Sequence, residues 1–152
     1  MKSKDIIDFA RDIKHFRGTN DPFEIAGYYG IHVRCVDSYL NEFTAHTIKS
    51  EKYPTIITIN NIYDEFSQRV LCAHELGHAL LHSSGVNHFA YTRQNIHTNV
   101  EYEANLFAIA LLGDDTMEDA LAAPLETLSG YTLKSILDYN IKKRGCKKTV
   151  QI

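Results

Sequence analysis

The chain has 152 residues, 44% hydrophobic and 23% charged, a size and balance that fit one folded domain with its own core rather than a disordered segment. A formal charge of -3 and a pI of about 6.2 give no field that would draw the molecule to nucleic acid or an anionic membrane. The opening MKSKDIIDFARDIKHF is interrupted by charge every few residues, unlike a signal peptide, and no apolar run approaches bilayer length, so the expected compartment is the cytoplasm.

Ile6, Ile7, Phe9, Ala10, Ile13 and Phe16 recur at helical spacing over residues 3–16, and RGTND breaks the pattern, which predicts a first helix. Asp21-Pro22 marks the entry to a second, short helix reaching about Tyr29 and stopping near Gly30, because Asp caps free amides and Pro is tolerated at the first helical position. The segments IHVRCV (31–36), FTAHTI (43–48) and TIITIN (55–60) are β-branched and partly alternating, with polar or Pro-containing breaks between them, and predict three strands. Between Ile62 and about His82 the residues Phe66, Val70, Ala73, Gly77 and Leu80 fall on one stripe, predicting the longest and central helix. SSGVNHFAYTRQNIHTN (83–99) reads as a long surface loop. VEYEANLFAIALL (100–112) reads as a helix, apolar nearly all round in its second half and therefore deeply buried. Gly113-Asp114-Asp115 ends it, and shorter helices are expected over about 116–122 and 132–143, separated by Pro124 and Gly130. The basic cluster IKKRGCKKT (141–149) reads as a solvated helix end that complements the dipole.

The chemistry lies in His74-Glu75-Leu76-Gly77-His78, an HExxH string inside the predicted central helix. Four residues advance a helix by about 6 Å and slightly more than one turn, so both imidazoles project from one face and can converge on one ion. Glu75 sits roughly 100° further round, beside the ion rather than on it, which suits a general base acting on a metal-bound water. The composition of this chain would produce such a string by chance in roughly one of forty shuffles, so a second feature is needed. Two histidines also leave zinc short of the three protein ligands of a hydrolytic site.

Glu101, in the next helix, is the candidate third ligand. It lies four residues before Asn105, so the carboxylate can bind metal while the amide braces a ligand imidazole. Thr98-Asn99-Val100-Glu101 is also a capping box, in which Glu101 would only reach back to the helix start. Glu103 points to a different side of the helix and is the fallback ligand. Replacing Glu101 by Ala should therefore weaken zinc retention sharply and replacing Glu103 should not. His82 follows His78 by four residues, but three ligands strung along one helix spread over about 12 Å of axis, so it reads as a core histidine or a support for a ligand. His88, Tyr91, His97 and Tyr102 lie on or beside the long loop and are candidates for hydrogen-bonding an oxyanion. Cys72 is turned about 200° from His74 and should face the core. Cys35, Cys72 and Cys146 are scattered and form no CxxC pair, which argues against a zinc knuckle or a redox dithiol.

Three segments carry a resemblance to the ImmA/IrrE-type metallopeptidases of bacteria and phages: DPFEIAGYYGIHV (21–33), LCAHELGHALLH (71–82) and EYEANLFAIALL (101–112), in the order and at the distances that family shows. The resemblance implies an α+β, zincin-like core, with a small three-stranded sheet packed against the central HExxH helix and helices around it. It further implies that His74, His78 and Glu101 bind zinc. Members related to ImmA cut helix-turn-helix repressors of mobile elements, and those related to IrrE act on a repressor in a stress response. This chain looks closer to the first kind, and residues 1–152 read as a single metallopeptidase domain with a loose tail from about 144. Where the family commonly continues with Met-Pro, Leu112 is followed here by Gly113-Asp114-Asp115, so the wall beside the site differs.

The expected activity is zinc-dependent endopeptidase action, with Glu75 as catalytic base. The expected partner is a protein substrate, a helix-turn-helix repressor of a mobile element or stress regulon, with no direct nucleic-acid or membrane contact. Two imidazoles and one carboxylate favour zinc, with Mn2+ or Fe2+ as the other candidates. A substrate strand would pair with TIITI (55–59) or FTAHTI (43–48) as an edge. The alternative function is a regulatory metal-binding protein that sequesters a repressor without efficient hydrolysis. A purely structural zinc domain would need a closed four-ligand site and would have no use for a base at Glu75.

Overall fold

The computed structural model describes residues 2–37, 44–82, 99–113 and 123–145. Its elements run α1 (Ser3–Arg17), α2 (Pro22–Tyr28), β1 (His32–Val36), β2 (Ala45–Ser50), β3 (Tyr53–Asn60), α3 (Glu65–Leu81), α4 (Asn99–Leu112) and α5 (Gly130–Tyr139), with a single 3-10 turn over Leu125–Thr127. The architecture is α+β, a three-stranded sheet packed against helices.

The first helix buries Ile6, Ile7, Ala10 and Ile13. In α2 Pro22 takes the first position and the Asp21 carboxylate accepts from the Phe23 amide at 3.0 Å, satisfying a donor that a helix start leaves free. Gly30, with φ of 70°, lets the chain reverse into β1.

β3 is the central strand: β1 pairs with it in parallel (Val33 opposite Ile57) and β2 antiparallel (Thr47 opposite Ile57). Alternation sends Ala45 and Thr47 of β2, with Ile57 and Ile59 of β3, into the interior. There α3 lies against β2 and β3 on one side and α4 on the other, and α4 packs in turn on α1 and α5. Enclosure on several sides explains why α4 is buried from Ala104 through Leu112, in agreement with its nearly all-apolar sequence. No described helix is long and apolar enough to cross a membrane.

Three differences from the sequence expectations have physical causes. The central helix starts at Glu65 rather than Ile62, because Asp64 is its cap and accepts from the Ser67 amide at 2.9 Å. Gly130 is the first residue of α5, not a separator, because Ser129 caps that helix by accepting from the Thr132 amide at 3.1 Å. The basic segment after Tyr139 is no helix end. It runs as a strap beside the start of α3, with the Asp64 amide donating to Lys142 O at 2.8 Å and the Arg144 amide to Ile62 O at 2.7 Å. The chain is thus tied down through Arg144, the point at which a loose tail was expected to begin. The expected helix over 116–122, the loop over 83–98, Phe43 and Cys146 lie outside the described residues.

Candidate metal centre

His74 and His78 stand one turn apart on α3, their rings nearly perpendicular with centroids 4.7 Å apart and their Nε2 atoms separated by 3.2 Å. Glu101, from the first turn of α4, closes the third side. Its Oε2 lies 2.8 Å from His78 Nε2 and its Oε1 3.4 Å from His74 Nε2. The carboxylate is directed at the imidazoles, which favours the ligand reading of Glu101 over the capping box.

What brings α4 close enough is Gly77, the residue between the two histidines. A Cβ at Gly77 would stand 3.1 Å from Ala104 Cα, 3.2 Å from Ala104 O and 3.2 Å from Phe107 Cδ1. Two of those atoms are α4 backbone, so any larger residue would push the helix carrying Glu101 away.

His74, His78 and Glu101 each offer a donor atom, and these lie within 4.8 Å of one another. A tetrahedral zinc with bonds of about 2.1 Å holds its ligand atoms about 3.4 Å apart, and the separations of 2.8, 3.2 and 3.4 Å lie at or within 0.6 Å below that value. The donor set of two imidazoles and one carboxylate also suits a divalent ion that keeps a position for substrate or solvent. These residues fit a single Zn2+. Burial by itself would raise the pKa of Glu101, but its hydrogen bonds with His74 and His78 and their positive charge outweigh it and bring the pKa down to about 2. The carboxylate is therefore ionised and ready for a cation. Burial works against charge on His74 as well, yet the bond to Glu101, the charges of Glu75 and Glu101 and a bond to Asn105 raise its pKa overall.

Glu75 sits beside this group, only 1% exposed. Thr47 Oγ1, on β2, donates to its Oε1 at 2.6 Å. Its Oε2 is buried, makes no hydrogen bond among the described residues, and lies 3.8 Å from His74 Nε2. A buried carboxylate oxygen without a donor is costly unless something else occupies its surroundings, and this one is turned toward the ligand side of α3.

The remaining candidates are distributed around the triad. Asn105 is buried, and its side chain hydrogen-bonds His74. Glu103 is directed away from the triad: its Oε1 lies 2.9 Å from His82 Nε2, while His82 Nδ1 lies 3.1 Å from His78 Nδ1. Burial, with the charge of His78, lowers the pKa of His82 against the pull of Glu103. Tyr102 turns to α1, where its hydroxyl meets Ser3 Oγ at 2.8 Å. His88, Tyr91 and His97 lie outside the described residues. Cys72 is fully buried, and burial together with the nearby Asp21 and Glu75 carboxyls raises its thiol pKa well above the usual value.

Two residues of the site escaped the sequence reading. Thr47 had a signal available, since it is the polar residue on the inward face of FTAHTI, where β alternation predicts an apolar neighbour for Ala45. Lys49 had none. Its ammonium donates to Ala79 O at 2.8 Å and His82 O at 2.6 Å, fastening the carboxyl end of α3 to β2 where the helix dipole favours a cation.

Residues 26–136 match the family model described as the IrrE N-terminal-like domain, a peptidase family. The chain is 34% identical over 106 residues to "Uncharacterized immunity region protein 2" of Bacillus phage phi105, a match covering 69% of this chain and 65% of that protein. The matched part thus spans slightly less than two thirds of the relative's length. No solved structure matches this chain. With the family match covering most of the sequence and the His74, His78 and Glu101 triad assembled on α3 and α4, the chain belongs to the IrrE/ImmA-like peptidase family with an HExxH-type metal site.

Proposed function

We propose that this protein is a zinc-dependent endopeptidase that works in the cytoplasm on a protein substrate, a helix-turn-helix repressor of a mobile element or stress regulon. The observation that carries this reading is the position of Glu75, buried beside the triad with one oxygen held by Thr47 and the other making no hydrogen bond among the described residues. A structural zinc site has no use for such a group. Zinc held by His74, His78 and Glu101 would supply a water of lowered pKa and polarise the scissile carbonyl. Glu75 Oε2 accepts the proton of the attacking water and later delivers it to the departing amine, while the Thr47 hydrogen bond fixes the carboxylate plane. Asn105 holds the His74 ring in place.

The peptide is taken to lie along β2. TIITI (55–59) is unsuitable as the receiving edge because β3 is paired on both sides. β2 pairs with β3 alone among the described strands, and it carries Thr47 against the base, so main-chain pairing with its outer edge would draw a scissile carbonyl past Glu75 without demanding a particular sequence. The name of the phage relative places it in an immunity region, which supports the mobile-element branch of the family as the source of the substrate.

The test is incubation with the repressor encoded beside this gene, with and without chelator, for the wild type and Glu75→Gln. Fragments from the untreated wild type, none with chelator, and a zinc-loaded Glu75→Gln slower by at least about a hundredfold are the expected results. Full-rate cleavage by Glu75→Gln would remove Glu75 from the mechanism. A stable, uncleaved complex would favour the sequestering protein.

A further inference from the structure

We infer that Glu103 and His82 form an outer chain that positions His78, fixing its tautomer so that its Nε2 lone pair faces the metal. The inference rests on the metal-centre reading and extends it to two residues outside the triad. Glu103 Oε1 lies 2.9 Å from His82 Nε2, and His82 Nδ1 lies 3.1 Å from His78 Nδ1. An ionised carboxylate only accepts, so the hydrogen in the first contact belongs to His82 Nε2. A neutral imidazole that carries its proton on Nε2 has an acceptor at Nδ1, so the hydrogen between the two rings belongs to His78 Nδ1. A cation at the triad would take the place of the hydrogen in the 2.8 Å contact between His78 Nε2 and Glu101 Oε2, and with the other proton held on Nδ1 the Nε2 lone pair would face that cation.

Burial makes the chain effective. The side chains of His78, His82 and Glu103 are 4%, 10% and 18% exposed, so solvent competes little for the contacts that select the tautomer. Position explains the division of labour between the two glutamates. Glu101 reaches His74 and His78, whereas Glu103, two residues on, reaches one turn further along α3 and meets His82, which in turn meets His78. His82 cannot join His74 and His78 on one ion, but it holds the imidazole that does.

Partners of this kind are typically worth about 10- to 100-fold in metal affinity. The experiment measures zinc affinity by chelator competition for the wild type, His82→Leu, Glu103→Leu, Glu103→Gln and the double variant His82→Leu/Glu103→Leu. It also reads solvent exchange of the His78 Nδ1 proton by nitrogen-15 NMR in the zinc-loaded proteins, and thermal unfolding in the metal-free ones. Each Leu variant is expected to weaken zinc by about 10- to 100-fold. Glu103→Gln should lose less, because its carbonyl still accepts from His82. The double variant should be no worse than His82→Leu, because Glu103 acts through His82. Zinc-loaded wild type should show the His78 Nδ1 proton protected from solvent exchange, and His82→Leu should lose that protection. Unchanged zinc affinity and unchanged exchange of the His78 Nδ1 proton in a folded His82→Leu, or additive losses in the double variant, would overturn the inference alone. A wild type that takes up no zinc would overturn the metal centre and this inference together.

Discussion

The two halves of α3 both bury polar side chains, and they treat them in opposite ways. Near the amino end, Ser67 Oγ donates to Asn140 O at 2.9 Å and accepts from the Lys142 amide at 2.7 Å. Gln68 Nε2 donates to Asn61 Oδ1 and Tyr63 O, and its Oε1 accepts from the Cys35 thiol. Those groups complete one another, and the result is a rigid junction between α3 and the strap after α5. In the carboxyl half, the Nε2 atoms of His74 and His78 and the Glu101 carboxylate face one another, and Glu75 Oε2 makes no hydrogen bond among the described residues. Saturated buried polarity builds structure. Convergent buried polarity without enough protons to share marks a place for a ligand.

The contrast is broken most directly at Glu101. Glu101→Ala removes a ligand rather than a support, so zinc should be lost by more than the roughly 100-fold ceiling for supporting partners; chelator competition measures it, and retention at wild-type affinity would return Glu101 to the capping role. Glu103 variants should then fall between Glu101→Ala and the wild type, which revises the sequence expectation that Glu103 is neutral for zinc.

Thr47→Val keeps shape but removes the donor to Glu75. Hydrogen bonds to charged groups are worth about 1.5–3 kcal/mol, so peptide turnover should fall about 10- to 100-fold at unchanged zinc content. Undiminished kcat would show that Glu75 does not need Thr47.

Gly77→Ala tests the approach of the two helices. The added methyl meets α4 backbone, and crowding of that kind costs about 1–3 kcal/mol. Denaturant unfolding of the metal-free protein should show the loss, together with weaker zinc binding as Glu101 is carried outward. Ser67→Ala is the control from the saturated half. It should cost about 1–3 kcal/mol by leaving Asn140 O and the Lys142 amide without their partner, and it should leave zinc affinity as it was. A change in zinc affinity here would mean that the two halves of α3 are coupled.

Much of the site was readable because its parts are local. His74, Glu75 and His78 share a helix whose periodicity is visible in Val70, Ala73 and Gly77, and helical geometry then sets their relative directions. Asp21-Pro22 announced α2 for the same reason, since capping is settled within three residues. The failures came where a distant partner decided. The strap was misread as a helix end because its hydrogen bonds go to Ile62, Asp64 and Ser67, more than seventy residues earlier in the chain. Tyr102 pairs with Ser3, ninety-nine residues earlier, a contact that no local pattern announces.

By itself the sequence determined which residues hold polar chemistry and on which helices they ride, because helix period and cap chemistry act over a few neighbouring residues. Only the tertiary structure decided between the two roles of Glu101, enrolled Thr47 and Lys49 from β2, and set His82 between Glu103 and His78. Those outcomes depend on how closely α3 meets β2 and α4, and that separation is a property of packing across the core, which no single segment encodes.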